Sequence, residues 1–147
     1  MSSPEAAPTD FSIHVTFEML SQARCLPIVR ATVAELAETV GWSESETRCI
    51  TMAVDEALAN VIRHAYHGRT DALIQLHCRA GEDQLEIRIR DTGDAPDQSR
   101  ICARELGCDR IGGLGTHIIR DVMDTVSYES RQDGNWLTAT KRLRRKG

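Results

Sequence analysis

The chain has 147 residues, 41% hydrophobic and 27% charged, with a formal net charge of −4. That composition suits one globular domain with its own core and excludes a disordered chain. The negative balance argues against a general nucleic-acid binder, no apolar run is long enough for a membrane span, and five cysteines without a Cys-x-x-Cys pair fit reduced thiols better than a disulfide framework or zinc site.

Met1 to Asp10 is rich in Pro, Ala and Ser and carries no apolar run of a signal peptide, so a cytoplasmic location is expected. Phe11, Ile13, Val15 and Phe17 alternate with polar residues and predict a half-buried strand, with His14 on its polar side. Leu26, Val29, Val33, Leu36 and Val40 then recur at helical spacing. Pro27 falls in the first turn of that helix, and Gly41 ends it. Arg30 and Glu35 lie off the apolar stripe, solvated or available to a partner.

Ser43 with Glu46 forms a capping-box pattern and opens a second helix, predicted to run to His67. Ile50, Val54, Ala57, Leu58, Val61 and Ala65 make its apolar face. Glu56, Asn60, Arg63 and His67 fall three or four residues apart and make a polar stripe. Such a stripe is most often only a solvated face. A carboxylate and a carboxamide one turn apart can also do chemistry together, since the first takes a proton and the amide oxygen binds a hard cation such as Mg²⁺.

After Gly68, residues 72–79 and 84–90 read as two strands joined by a Gly81-Glu-Asp turn. Asp91 ends the second, and Gly93 follows. A carboxylate there can accept from an exocyclic amine, and a glycine lets a ligand approach the backbone, although Asp-x-Gly is usually no more than a turn. Residues 92–113 form a long irregular stretch of the kind that is usually functional. Gly112-Gly-Leu-Gly-Thr116 runs into a helix over 114–123, where free N–H groups suit a phosphate. A P-loop is excluded, because no Gly-x-x-x-x-Gly-Lys-Ser/Thr occurs. Strands near 125–130 and 136–143 close the chain around an Asp133-Gly134-Asn135 turn. Cys25, Cys49 and Cys78 are expected as small core residues, and Cys102 and Cys108 in the loop. The basic run Lys141-Arg-Leu-Arg-Arg-Lys146 reads as a solvated tail. Hairpin-joined strands with helices between them predict an α/β (α+β) two-layer sandwich, its sheet mainly antiparallel and its helices on one face.

Three signals stand in a fixed order: Asp55-Glu-Ala-Leu-Ala-Asn-Val-Ile-Arg-His-Ala-Tyr66, Asp91-Thr-Gly93 and Gly112-Gly-Leu-Gly115. Together they resemble the N, G1 and G2 boxes of the Bergerat-fold (GHKL) ATP-binding superfamily. More closely, with Val122-Met-Asp124 and Gly134-Asn-Trp-Leu-Thr-Ala-Thr-Lys-Arg142, the chain resembles bacterial anti-sigma-factor serine/threonine kinases, from Phe11 to Leu143. The resemblance implies a flexible segment 1–10, a histidine-kinase-like ATP-binding domain over 11–143 and a basic tail 144–147. It implies ATP and Mg²⁺ as cofactors, with Asn60 holding the metal and Glu56 as the base that activates the attacking hydroxyl. Asp91 would read the adenine amine with Gly93 beside the ring. Gly113, Leu114, Gly115 and Thr116 would line the phosphates beneath a lid, and His64 matches the pattern after the asparagine. Apart from the resemblance, Arg104 or Arg110 in that loop could add positive charge.

The implied partners are a STAS-domain anti-anti-sigma protein as phosphoryl acceptor and a sigma factor to be sequestered, with the chain a homodimer. Asp94-Ala-Pro-Asp97 departs from the Pro-Phe or Gly-Phe frequent in relatives, which implies a differently shaped adenine pocket. The competing reading is a non-catalytic ATP-binding anti-sigma or phosphatase-regulating module. The ATP-binding half of a two-component histidine kinase fits less well, since only ten residues precede the first strand and leave no dimerisation helix. A gyrase-like or mismatch-repair-like ATPase fits less well still, for want of a transducer domain.

Overall fold

The computed structural model describes residues 11–95 and 114–144. Apolar alternation builds β1 (Phe11–Leu20), β2 (Leu73–Gly81), β3 (Gln84–Asp91), β4 (Thr125–Arg131) and β5 (Gly134–Arg142) into one antiparallel sheet, ordered β1-β2-β3-β5-β4. Ile74, Leu76, Cys78, Leu85, Ile87, Ile89, Leu137 and Ala139 point to one face and are buried. Helices α1 (Leu26–Val40), α2 (Glu44–Asn60) and α3 (Leu114–Val122) cover that face, giving the two-layer architecture. α2 packs between α1 and α3, with Ile50, Val54 and Leu58 buried, each fully buried aliphatic side chain contributing about 1.5–3 kcal/mol.

The predicted capping works in one direction. The Glu46 backbone N–H donates to Ser43 Oγ at 3.2 Å, and Glu44 and Glu46 place negative charge in the first turn of α2. At the other end α2 stops short of the predicted His67. The α-helical ladder ends at Asn60 and widens into a π-helical turn, Val61–Ala65. His67 then leaves the helix at φ +52° and turns its ring to Asp94, with Nε2 and Oδ2 at 2.6 Å. It is therefore not part of the polar stripe. Inserted π turns cluster at functional sites, and this one carries the residues between Asn60 and the buried Tyr66.

Four further expectations change. A register shift between Phe11 and Ile13 turns Phe11 to the outer face of the sheet, where the Arg79 guanidinium lies 4.2 Å over its ring. Arg30 is not merely solvated, for its Nη1 donates to Asp55 Oδ1 at 2.7 Å and ties α1 to α2, with nearly half of its side chain still exposed. Cys49 is exposed rather than core, because its position on α2 shares a side with Met52 and Glu56, away from the sheet. Cys25 is half-buried and Cys78 fully buried, and burial pushes the Cys78 thiol up to about 12. Asn135 belongs to β5, and the tight turn between β4 and β5 is made by Gln132 and Asp133. Among the described residues, no helix is long and apolar enough to cross a membrane.

Candidate nucleotide and phosphoryl-transfer site

Glu56 lies one turn before the end of α2, and Asn60 is its last residue. Their side chains share one face because four residues make just over one turn. A single group links them. Arg63 Nη2 donates to Asn60 Oδ1 at 3.2 Å and lies 3.7 Å from Glu56 Oε2. Glu56 keeps 36% of its side chain exposed and Arg63 58%, so solvent can reach the cluster. His64 is exposed on the π-helical turn and makes no hydrogen bond among the described residues.

The second part of the site is buried. Asp91, the last residue of β3, is 7% exposed. Its Oδ1 accepts from the Gly93 N–H at 3.0 Å and from Asn135 Nδ2 at 2.9 Å. Asn135 stands directly opposite Asp91 on β5. Its Nδ2 also donates to the Gly93 carbonyl at 2.9 Å, and its Oδ1 accepts from Ser130 Oγ at 3.0 Å. Burial raises the Asp91 carboxyl above its ordinary value, and the bonds from Asn135 and Gly93 oppose that rise. Both bonds fall on Oδ1, so Oδ2 is the oxygen that can take a further donor such as a ring-borne amine.

The two parts meet through glycine. A Cβ on Gly93 would stand 2.2 Å from the Ala65 carbonyl oxygen and 2.9 Å from Tyr66 Cδ1. Only a bare Cα lets the strand end press onto the π-helical turn, where the Asp94 N–H donates to that same Ala65 carbonyl at 2.9 Å. Tyr66 clamps the junction. Its hydroxyl donates to the Leu73 carbonyl at 2.5 Å and accepts from the Thr92 N–H at 2.8 Å. Gly134 supports the other side at φ +133°, with its Cα facing the Asp91 carbonyl, where a Cβ would meet oxygen at 2.5 Å.

Asp91 and Gly93 are thus brought against the turn that follows Asn60. Leu114, Gly115 and Thr116 open α3, which packs on α2. Gly112 and Gly113, with the rest of the irregular stretch from Pro96 and its Arg104, Arg110, Cys102 and Cys108, lie outside the described residues. Asn135, Gly134 and Tyr66 were not among the sequence candidates. The first had a signal: extending the Leu137/Ala139 alternation back by two puts Asn135 on the core face.

The sequence profile described as "Histidine kinase-like ATPase domain" matches residues 20–141. The serine-protein kinase RsbW of Listeria innocua is 31% identical over 120 residues, covering 76% of each chain. The chain belongs to the histidine kinase-like ATPases, within the RsbW serine-protein kinase family. RsbW of Bacillus subtilis is 27% identical over 139 residues, covering 88% of this chain and 86% of that protein. The serine/threonine-protein kinase BtrW of Bordetella bronchiseptica is 33% identical over 103 residues, covering 67% and 72%. Among solved structures, the RsbU and RsbW domains of Rv1364c from Mycobacterium tuberculosis superpose with a TM-score of 0.65 at 18% identity. That match covers 92% of this chain and 34% of that longer one. The SiaB–SiaC complex from Pseudomonas aeruginosa gives 0.62 at 9% identity, covering 88% of each chain. Both share the fold of the family.

Proposed function

We propose that this chain is an ATP- and Mg²⁺-dependent protein serine/threonine kinase acting on a STAS-domain anti-anti-sigma protein. We further propose that it sequesters a sigma factor and works as a cytoplasmic homodimer. The observation that carries the kinase reading is the convergence of the Glu56 carboxylate and the Asn60 amide oxygen on one cationic group. Both oxygens face positive charge there, and a carboxamide oxygen beside a carboxylate suits a hard divalent cation. The names of the relatives, serine-protein kinase RsbW and serine/threonine-protein kinase BtrW, support the acceptor class.

In this mechanism Asp91 accepts from the adenine amine through Oδ2, held in place by Asn135, while Gly93 leaves room beside the ring. Asn60 Oδ1 would hold Mg²⁺, which when bound would supply positive charge to the nucleotide's phosphates. Gly113 and the first turn of α3, with Leu114, Gly115 and Thr116, form the phosphate end in the proposal, and His64 is assigned to the phosphates with them. Glu56 takes the proton of the acceptor hydroxyl as its oxygen bonds to the γ-phosphorus. The bond from that phosphorus to the bridging oxygen breaks, and ADP leaves with the electron pair.

The test is titration of ATP with Mg²⁺ into wild type, Asn60→Ala and Glu56→Gln, followed by phosphotransfer to a purified STAS partner. Asn60→Ala is expected to lose the metal-dependent part of binding. Glu56→Gln is expected to bind normally and transfer about 10²–10⁴-fold more slowly. Tight ATP binding and complex formation without transfer in the wild type would replace this reading with that of a non-catalytic ATP-binding module.

A further inference from the structure

The Arg63 guanidinium hydrogen-bonds the Asn60 oxygen that the proposed chemistry requires and stands beside the Glu56 carboxylate. It lies 3.2 Å from Asn60 Oδ1 and 3.7 Å from Glu56 Oε2. Its reach follows from helix geometry: side chains tilt toward the N-terminus, so a long one placed a turn beyond Asn60 lies back over it toward Glu56. Among the described residues, Glu56 is the carboxylate within ion-pair distance of Arg63, so the contact is specific to this site. Asn60 itself is neutral and could have bonded water or turned its NH₂ group outward. Instead its carbonyl oxygen faces a cation.

Arg63 and a divalent metal exclude one another at that oxygen. Guanidinium has donors and no acceptor, Mg²⁺ demands close, near-octahedral oxygen ligands, and two cations on one carboxamide oxygen repel. We propose that Arg63 is a resident counter-ion of this site, occupying the cation position in the nucleotide-free protein and being exchanged for the metal when nucleotide arrives. The inference rests on the roles given above to Glu56 and Asn60. It gives Arg63 two effects. The guanidinium fixes the direction of the Asn60 oxygen, and draws the Glu56 carboxylate toward it, before any ligand binds. It also sets how much free Mg²⁺ the protein needs, because the metal must displace a tethered competitor. The competitor is weak, as suits an exchangeable group, because the pair is solvent-exposed and its longer contact is 3.7 Å.

The experiment measures ATP affinity by calorimetry against free Mg²⁺, and again in EDTA, for the full chain and for Arg63→Gln and Arg63→Lys. Arg63→Gln is expected to lower the Mg²⁺ concentration for half-maximal binding about two- to fivefold, the size of an exposed ion pair, with metal-free ATP affinity unchanged and the nucleotide-free protein destabilised by no more than that same pair. Arg63→Lys, which keeps the charge, is expected to stay near wild type. In the wild type, the Arg63 Nε–Hε resonance is expected to shift on adding ATP with Mg²⁺ and not with Mg²⁺ alone. An unchanged Mg²⁺ requirement in Arg63→Gln overturns the proposal while leaving the kinase reading intact. A fall in metal-free ATP affinity also overturns it, since that assigns the guanidinium to the phosphates. Failure of the wild type to bind ATP at all would remove both readings together.

Discussion

Asp91 holds its position through a cross-strand asparagine, a backbone N–H and a glycine pressed against a carbonyl, with the carboxylate and its bond to Asn135 buried. Glu56, at the other end of the same site, is more than a third exposed and is touched by one guanidinium at 3.7 Å. The contrast separates two demands on a phosphoryl-transfer site. On the roles proposed above, recognition of a flat ring needs a fixed carboxylate, and a buried hydrogen-bonded network supplies one at the expense of desolvation. Proton transfer and metal exchange need groups that can change partners, and weak, wet contacts allow that.

Breaking the rigid part should cost most. Gly93→Ala is expected to destabilise the protein by about 3 kcal/mol and to abolish ATP binding, because the new methyl meets backbone at the Ala65 carbonyl, which cannot give way cheaply. Denaturant melts and an ATP titration check both effects. Asn135→Ala is expected to cost about 1–3 kcal/mol, since it strips a donor from a buried carboxylate. It should also raise the Asp91 carboxyl further, because the bond from Asn135 is the larger of the two influences holding it down.

Acidification sharpens the comparison. The charged form of Asp91 is the one that burial penalises, so this cost to the folded protein is present where the group is ionised and vanishes as pH falls through its raised value. ATP affinity is therefore expected to decline on acidification starting above the usual aspartate range. A decline confined to the ordinary range would contradict the buried setting. In Asp91→Asn that pH-dependent limb should be missing from an already weakened binding curve. The smallest effect belongs to the exposed end. Glu56→Gln should change stability by less than about 0.5 kcal/mol in the same melts, however large its effect on transfer.

How much of this could be read in the chain follows the range of the interactions. The α2 stripe was legible because Glu56 and Asn60 are neighbours by helical period, and the Ser43 cap because its partner is three residues away. Asp91 was legible as a strand end. The residues that complete its pocket were not. Asn135 lies 44 positions away, and only the strand register brings it opposite Asp91. The Tyr66 hydroxyl bonds the Thr92 N–H across 26 positions. The π-helical turn escaped for another reason: its residues continue the α-helical pattern, and it is the packing of Gly93 on Ala65 that rewards a wider turn. The outward turn of Phe11 depends on one slipped pair with Gly81, which alternation alone cannot register.

The opposition of Asn135 to Asp91 also orders events in time. Synthesis runs from the N-terminus, so the stripe on α2 and the strand ending at Asp91 emerge long before the residue that fixes that carboxylate. β5 is the strand that inserts between β3 and β4, and until it does, Asp91 sits on an unpaired edge. On the proposed roles, a nascent chain therefore presents Glu56 and Asn60 before Asp91 has the partner that fixes it. If Asp91 reads the base as proposed, nucleotide is expected to stabilise the chain only once the last hairpin has left the ribosome and closed. A chain ending before Gly134 should accordingly show no gain in protease resistance from ATP, while the full chain should show a clear one.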